Sequence, residues 1–209
     1  FVIDLFQPTF DSLFITDMEI SRIVAKKQTD QFVSLTEEEL NLFVSIQQRI
    51  ELKKGEKLIE LGEISRGFYL VETGLLREFY YKNGRDVTEH FASEGQGMMC
   101  TRSLFLKQPS ELIIEALEKS VVYLTPYQDL IQLTEKYKVF SIYLRKLFEF
   151  VLIMSQEKAD SWRFETARER YNRFLKDFPE AAKRASINHI ASYLLMTPES
   201  LSRVRSGTL

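Results

Sequence analysis

The central part of the chain, from about Arg49 to Pro126, alternates between apolar and polar residues in short runs, the pattern of half-buried β-strands. Turn residues separate the runs, and Asn83-Gly84 stands between two of them, where this pair predicts a tight β-hairpin. Roughly eight short strands at regular spacing predict a β-sandwich or jelly roll. The clearest strand candidates are Phe68–Gly74, Leu75–Tyr81, Asp86–Ala92, Glu111–Leu117 and Val121–Thr125.

The residues before the predicted strands have the spacing of apolar positions that is typical of helices. Thr36 followed by Glu37, Glu38 and Glu39 has the composition of a helix start, with a threonine N-cap and acids in the first turn. Upstream, the apolar spacing predicts two further helices, for which we expect a packing or dimer-contact role. The first contains Phe10, Leu13, Phe14 and Met18, and the second contains Ile20, Ile23 and Val24.

Helical spacing returns after Pro126, and the helix predicted from Val139 to about Asp160 is apolar on more than one side. Such a helix must bury more than one face, so we expect one face against the β-domain and another against a second copy of the chain. A central helix of a monomer is the alternative. The expected dimer interface has the alternating four-three spacing of a coiled coil and consists of Phe140, Leu144, Leu147, Val151 and Met154.

The stretch from Ser186 to Arg205 predicts two short helices joined by a tight turn. Thr197-Pro198-Glu199 has the N-cap hydroxyl, first-turn proline and early acid of a helix start, and Leu201 and Val204 give the second helix a buried stripe. This arrangement is typical of a helix-turn-helix DNA reader, although ordinary all-α domains also contain such pairs. The apolar face of the first helix contains Ile187, Ile190, Ala191, Leu194 and Leu195.

Three polar residues of the second helix have the chemistry of base recognition. Glu199 and Arg203 are four positions apart and share a face, with Ser202 beside Arg203. An Arg can donate to O6 and N7 of guanine, and a Glu can accept from the cytosine amine. The alternative is an ion pair on a solvated face, worth roughly a few tenths of a kcal/mol. The residues expected to contact DNA phosphates are Arg205, Lys183, Arg184 and Ser200.

Charge and composition favour a phosphate-binding surface and exclude several classes of metal site and enzyme. The net charge of −2 conceals an asymmetry, because residues 163–209 contain nine Lys/Arg against five Asp/Glu, which fits a surface facing phosphates. The single cysteine, Cys100, excludes an internal disulfide framework and an iron–sulfur cluster held within one chain. His90 and His189 lie far apart, which argues against a metal-dependent enzyme on a jelly roll, and no nucleotide-binding loop or hydrolase motif occurs. We expect a non-enzymatic protein without a metal.

No apolar run approaches the length of a membrane span, and residues 1–14 lack the basic start of a signal peptide. We therefore expect a cytoplasmic protein with no membrane partner, which the single cysteine also favours. Because the chain opens on Phe1 and not on Met, its natural start is expected to be missing.

The segment ASYLLMTPESLSR, with Glu199, Ser202 and Arg203 in a Glu-x-x-Ser-Arg run, resembles the recognition helix of Crp/Fnr-type bacterial transcription regulators. The segments LKKGEKLIELGE, FYLVETGLLREFYY, PSELIIEALE and HIASYLLMTPESLSR are similar to Bacteroidetes-type members of that family. The resemblance covers roughly Val33 to Arg205. It implies that Glu199 and Arg203 contact bases and that Ser202 assists them.

The implied fold class is α+β. It comprises an N-terminal helical segment (1–36), a cyclic-nucleotide-binding-like jelly roll (37–126), helices including a dimerisation helix (127–162) and a helix-turn-helix DNA-binding domain (163–209). The expected partners are double-stranded DNA with an inverted-repeat operator, a second copy as homodimer, RNA polymerase and an unknown small-molecule effector. Family members often carry a β-hairpin wing, whereas residues 163–185 have helical spacing, so we expect a reduced reader domain or a shortened chain. The alternative function is a jelly-roll module that senses ligands or binds proteins without contacting DNA.

Cyclic-nucleotide members of the family hold the phosphate with backbone N–H groups and one Arg. In the corresponding stretch here, Gly95–Leu117, Glu111 stands where that Arg would be, and a carboxylate repels phosphate. We therefore expect no cofactor and no tight binding of cAMP or cGMP. The expected residues of the effector pocket are Gly95, Met98, Met99, Cys100, Arg102, Ser103 and Glu111.

Overall fold

The computed structural model describes residues 17–207, which begin with two helices. Helix α1 covers Asp17–Asp30 and α2 covers Glu37–Ile46. The helix start predicted at Thr36 is confirmed, because its hydroxyl accepts from the backbone N–H of Glu39 while the Glu39 carboxylate accepts from the N–H of Thr36 at 2.8 Å.

The two helices predicted upstream have different outcomes. The first is expected around Phe10 to Met18 and lies almost entirely outside the described residues. Ile20, Ile23 and Val24 of the second lie in α1, which also includes Met18.

The central part of the chain forms two antiparallel sheets. The strands are β1 Gln48–Leu52, β2 Lys57–Ile59, β3 Gly67–Thr73, β4 Leu76–Lys82, β5 Arg85–Ala92, β6 Gly97–Met98, β7 Ile113–Ala116 and β8 Ser120–Pro126. One four-stranded sheet has the order β1-β8-β3-β6, and the other has the order β2-β7-β4-β5. Successive strands alternate between the two sheets except for β4 and β5, which are neighbours in the second sheet, and the eight strands form a jelly roll.

The turn between β4 and β5 is the hairpin that the sequence predicts. Asn83 and Gly84 have φ angles of 52° and 74°, the left-handed values that a two-residue turn of type I′ requires. Lys82 pairs with Arg85 across the turn.

The two sheets pack face to face through one apolar core. Tyr69 and Val122 of the first sheet and Leu76 and Ile114 of the second belong to the same cluster of buried side chains. Burial of a large aliphatic side chain contributes about 1.5–3 kcal/mol relative to its exposure, so this cluster stabilises the packing of the two sheets.

Three helices accompany the sheets and form a second core with α1 and α2. Helix α3 (Thr101–Leu106) connects β6 to β7, and α4 (Tyr127–Lys136) and the long α5 (Lys138–Phe164) follow β8. The second core is formed by Ala25, Leu40, Phe43, Phe68, Leu104, Leu130, Leu133, Phe140, Tyr143 and Leu144.

This packing corrects the expected dimer interface on α5. Phe140 is 0% exposed and Leu144 is 8% exposed, both within the helical core, so they face the chain itself and not a second copy. Leu147 and Val151 are half-buried, and Met154 is 37% exposed. The four-three pattern therefore marks, in its first half, the face that packs against helices of the same chain.

Four further helices form the C-terminal helical unit, defined here as residues 167–206. They are α6 Ala167–Asp177, α7 Pro179–Arg184, α8 Ile187–Tyr193 and α9 Pro198–Ser206. Leu75 and Phe91 from the β-domain share an apolar cluster with Phe174, Phe178 and Ile190, so the unit packs on the outer side of the second sheet. Residues 165–207 contain no strand, and so no hairpin wing.

No helix within residues 17–207 combines the length and apolarity needed to cross a bilayer.

Candidate nucleic-acid interface and ligand cavity

The last two helices are set by hydrogen bonds that the local sequence encodes. The Ser186 hydroxyl accepts from the backbone N–H of His189 at 3.2 Å, and the Thr197 hydroxyl accepts from that of Ser200 at 3.2 Å. Both helices therefore have a side-chain N-cap. The N–H of Met196 donates to the Ala191 carbonyl at 3.0 Å, which ends α8 in a Schellman-type turn.

Leu195 differs from the expectation that it belongs to the apolar face of α8. It follows the end of the helix with a φ of 54° and is 56% exposed. Positive φ is uncommon for residues other than glycine, and it occurs here because the chain reverses direction between α8 and α9.

Helix α9 buries one stripe of side chains and exposes another. Leu201 and Val204 are 0% and 4% exposed, whereas Glu199, Ser202 and Arg203 are all exposed and form what we call the polar face of α9. The pKa of Glu199 lies below its ordinary value because backbone N–H and Thr197 hydroxyl groups at the start of α9 hydrogen-bond to its carboxylate. Glu199 is therefore an ionised acceptor at neutral pH.

The other residues expected to contact DNA have different environments. Arg205 is exposed, Ser200 is half-buried at the start of α9, and Lys183 is exposed and ion-paired with Glu180 at 2.7 Å. Three of the four expected phosphate contacts thus lie at or near the surface. The fourth, Arg184, does not.

Arg184 lies in a cluster of carboxylates between α7 and the β-domain. Its Nη2 is 2.6 Å from Oε2 of Glu94, its Nη1 is 2.7 Å from Oε1 of Glu118, and its Nε is 3.5 Å from Oε2 of Glu180. Burial raises the pKa of Glu94, but hydrogen bonds from Arg184 and from backbone N–H groups outweigh it, so that pKa lies below its ordinary value. In this arrangement Arg184 joins the C-terminal helical unit to the β-domain and is not presented to a DNA backbone, which corrects the expectation.

Ser192 of α8 makes a second polar contact between the C-terminal helical unit and the β-domain. The Ser192 hydroxyl accepts from the backbone N–H of Thr88 at 2.7 Å and lies 3.2 Å from the Asp86 carbonyl, to which it can donate. Neither contact could be predicted from sequence, because the partners are more than one hundred positions apart.

A cavity of about 420 Å³ lies where the β-domain, α1, α5 and the C-terminal helical unit meet, and we call it the junction cavity. Its walls are largely aromatic and aliphatic, which is usual for small-molecule sites. The apolar lining includes Phe32, Phe68, Tyr69, Leu70, Met98, Met99, Tyr143, Leu147, Phe150, Val151, Met154, Phe178 and Tyr193. The charged lining residues are Glu78, Glu89, Glu157, Lys158, Arg173 and Asp177, and His90 also contributes.

A β-bulge brings two of the polar residues into this cavity. Glu78 pairs with His90 and Phe79 with Thr88, so Glu89 is an extra residue in β5. In a regular strand Glu89 and His90 would point to opposite faces of the sheet, whereas here both line the cavity.

Buried titratable groups surround the β-domain end of the cavity. Burial raises the pKa of Glu78 to about 7, and Cys100 hydrogen-bonds to its Oε1 at 3.5 Å. Burial likewise raises the pKa of Cys100 to about 12, so the thiol is not a thiolate at neutral pH. Burial lowers the pKa of His90 to about 4, which keeps its imidazole neutral where it packs edge-on against Phe178.

Lys158 of α5 contacts both the β-domain and the C-terminal helical unit. Its ammonium donates to the carboxylate and the backbone carbonyl of Glu89, and it lies 4.9 Å from the ring centre of Trp162 and 5.6 Å from that of Tyr193. Lys158 thus contacts the bulge of β5 and α8 of the C-terminal helical unit together.

The expected effector pocket coincides only in part with the junction cavity. Gly95, Met98 and Met99 line the cavity, and Cys100 touches it through Glu78. Arg102 and Glu111 are exposed and outside the lining, and the Ser103 hydroxyl instead fixes α3 through bonds to Ser65 and Gln108.

The residues that sequence reasoning missed are Glu78, Glu89, His90 as a lining group, Lys158 and Tyr193. One signal was available: Glu78 is two positions from the core residue Leu76, so strand alternation places both on the inner face. The bulge and the long-range partners have no such signal. No group of three or more His, Cys, Asp or Glu placed to hold a metal ion is found within residues 17–207.

Comparisons with known proteins agree with this architecture. Residues 49–137 match the family of the cyclic nucleotide-binding domain, so the β-domain has that fold. No curated protein matches the chain significantly.

Several solved structures share the fold over most of the chain. FixK2 from Bradyrhizobium japonicum is 21% identical with a TM-score of 0.65, covering 78% of this chain and 84% of its own. The catabolite activator protein of Thermus thermophilus is 22% identical with a TM-score of 0.52, covering 83% of each chain. The c-di-GMP-responsive global regulator CLP of Xanthomonas campestris is 16% identical with a TM-score of 0.58, covering 81% of this chain and 89% of its own. At these identities the likeness establishes the fold alone.

Proposed function

We propose that this chain, a jelly roll of the cyclic nucleotide-binding fold followed by helices, is a sequence-specific DNA-binding transcription regulator of the Crp/Fnr type. The observation that carries the proposal is the polar face of α9. Glu199, Ser202 and Arg203 are exposed together because Leu201 and Val204 bury the opposite stripe. The solved structures with this fold include an activator protein and a global regulator, which supports a regulatory role.

In the proposed complex, α8 and α9 act as a helix-turn-helix motif and α9 enters the major groove. Arg203 donates to the O6 and N7 atoms of a guanine, Glu199 accepts from a cytosine amine, and Ser202 assists. The negative charge of Glu199 is repelled by phosphates, so it favours a position over base edges and away from the backbone.

Phosphate contacts in this proposal come from Arg205, Lys183 and Ser200. Arg205 and Lys183 are exposed, and Ser200 lies in the first turn of α9, where backbone N–H groups also point outward. Arg184 could contribute only if the C-terminal helical unit moved away from Glu94 and Glu118.

The regulator acts as a homodimer on an inverted-repeat operator, with half-sites about one helical turn apart. The proposed interface is the exposed apolar part of α5, which shares Met154 with the expected residues and otherwise differs from them. Phe150, Leu152, Ile153 and Phe164 are 48%, 71%, 58% and 79% exposed, and Met154 belongs to both sets. Apolar residues exposed in this number on one helix mark an interaction surface. RNA polymerase is proposed as a further partner, and the cytoplasm as the location.

The effector pocket is proposed to be degenerate, so that cAMP is not a tight ligand. The residue in the place of the phosphate-binding Arg, Glu111, is exposed, and Arg102 is also exposed and outside the cavity. Neither supplies a buried cation for a cyclic phosphate.

The test is selection of duplexes from a random library by the full chain, followed by fluorescence anisotropy. We expect an enriched inverted repeat that binds at least roughly a thousandfold more tightly than a scrambled duplex at the same salt concentration. The matched control is the variant Glu199→Ala/Arg203→Ala, which keeps the buried stripe of α9. Absence of enrichment by the wild-type chain would favour the alternative, a jelly-roll module that binds ligands or proteins without DNA.

A further inference from the structure

We propose that the junction cavity binds a small apolar molecule with an aromatic or similarly bulky body and a neutral or cationic polar group, and that it rejects anions. That such a ligand acts as an effector rests on the DNA-binding function proposed above. The binding of the ligand to the cavity does not depend on that function.

The size and walls of the cavity suit such a ligand. Its volume of about 420 Å³ falls within the usual range of small-molecule sites. Tyr69, Tyr143 and Phe178 supply aromatic surfaces on different sides, and Met98 and Met154 supply side chains that adapt to shape. Filling this space removes apolar surface from water, which favours binding.

The charges of the lining disfavour an anion. Four carboxyl side chains line the cavity, against the two cations Lys158 and Arg173. Lys158 is already paired with Glu89, and Arg173 with Glu165. His90 adds no positive charge at neutral pH. A phosphate or carboxylate would therefore enter without a free cation among the lining residues and would meet the carboxylates of Glu157 and Asp177 as well as Glu78, which is partly ionised at neutral pH.

Glu78 supplies the specific polar contact. Its side chain is 6% exposed, and the thiol of Cys100, a weak donor, is its hydrogen-bond partner among the described residues. A ligand N–H, O–H or ammonium group placed against this carboxyl would gain a stronger hydrogen bond than the thiol provides.

The position of the cavity links a ligand to the arrangement of the whole chain. Met98 belongs to the β-domain, Val151 to α5, and Phe178 and Tyr193 to the C-terminal helical unit. A molecule that contacts all of them stabilises the observed docked arrangement over any arrangement in which the unit moves away.

The test compares two dyes with the same ring system, neutral phenylnaphthylamine and anilinonaphthalene sulfonate, which adds one negative charge. We expect the neutral dye to bind the full chain with enhanced fluorescence, and the sulfonate to bind about tenfold more weakly or worse, because the lining carboxylates Glu157 and Asp177 repel its negative charge. Equal affinities of the two dyes, or displacement of the neutral dye by micromolar cAMP, would overturn the proposal.

Variants establish that the dye occupies this cavity and not the exposed face of α5. Val151→Trp fills the space and is expected to abolish binding, whereas Gln132→Trp on the exposed side of α4 is expected to leave it unchanged. Ser155→Phe fills the cavity from an exposed position and replaces Val151→Trp if that variant does not fold. Wild-type binding by a folded filled variant would contradict the proposal. Since the dye measurements contain no DNA, absence of dye binding is distinguishable from a failure of the chain to bind operators.

Discussion

At the scale of single residues, Arg203 has the most specific expected role. We expect Arg203→Ala to weaken binding of the selected operator by on the order of 1–3 kcal/mol and to relax the preference at one G·C pair in each half-site. Anisotropy with single-substituted duplexes measures both effects. Arg205→Ala is the comparison, because loss of a phosphate contact weakens all sequences alike. Equal losses on selected and random DNA for Arg203→Ala would show that Arg203 does not contact bases.

Glu78 provides a residue-scale prediction about pH. Burial raises its pKa from 4.5 to about 7, so the folded chain holds a proton that the unfolded chain has released between these pH values. The free energy of unfolding should therefore fall as pH rises from about 4.5 to about 7, by roughly 3 kcal/mol in total from this group.

Glu78→Gln has no such proton and isolates the effect. The difference in unfolding free energy between variant and wild type, from urea titrations at several pH values, should increase across this window and then level off. The comparison is needed because burial lowers the pKa of His90 from 6.5 to about 4, so this group makes stability rise with pH between about 4 and 6.5. A difference that is constant with pH would show that Glu78 titrates normally.

At the scale of elements, Arg184 tests how α7 is held on the β-domain. Arg184→Ala removes the cation that Glu94 and Glu118 share, and we expect a loss of stability on the order of 1–2 kcal/mol, reduced from the buried-pair value by partial exposure. Lys183→Ala at the neighbouring exposed position is expected to change stability by less than about 0.5 kcal/mol. Thermal unfolding compares the two.

DNA binding by the variants Arg184→Ala and Lys183→Ala shows whether Arg184 contacts phosphate or links α7 to the β-domain. A phosphate contact would lose affinity on substitution, whereas a residue that holds the C-terminal helical unit against the β-domain would not. We expect unchanged or higher affinity for Arg184→Ala and a modest uniform loss for Lys183→Ala. Loss of affinity in Arg184→Ala comparable to that in Lys183→Ala would restore it as a phosphate contact.

At the scale of the whole molecule, the exposed apolar residues of α5 predict a homodimer. Ile153→Asp places a charge in the proposed interface, and its two symmetry-related copies should weaken dimerisation by on the order of 3 kcal/mol or more. Light scattering at micromolar concentration should change from dimer to monomer. Leu61→Asp, at a 60% exposed position between β2 and β3, is the control. A monomeric wild-type chain would remove the dimer proposal.

The sequence by itself determined most of the elements and their order, although it did not predict the short helix α3. Capping at Thr36 and Thr197, the turn at Asn83-Gly84 and the alternation of the strands all depend on residues a few positions apart, and each was predicted correctly. The polar face of α9 was predictable for the same reason, since a helix places residues three and four apart on one side.

Only the tertiary structure decided what those elements face. The side of α5 that carries Phe140 and Leu144 became internal because α1, α2 and α4 cover it, and Arg184 became a link between parts because Glu94 and Glu118 meet it from distant positions. The junction cavity likewise joins residues from Gln28 to Tyr193. Periodicity gives the direction of a side chain relative to its own helix or strand, whereas burial, charge and pKa depend on neighbours that only the folded chain brings together.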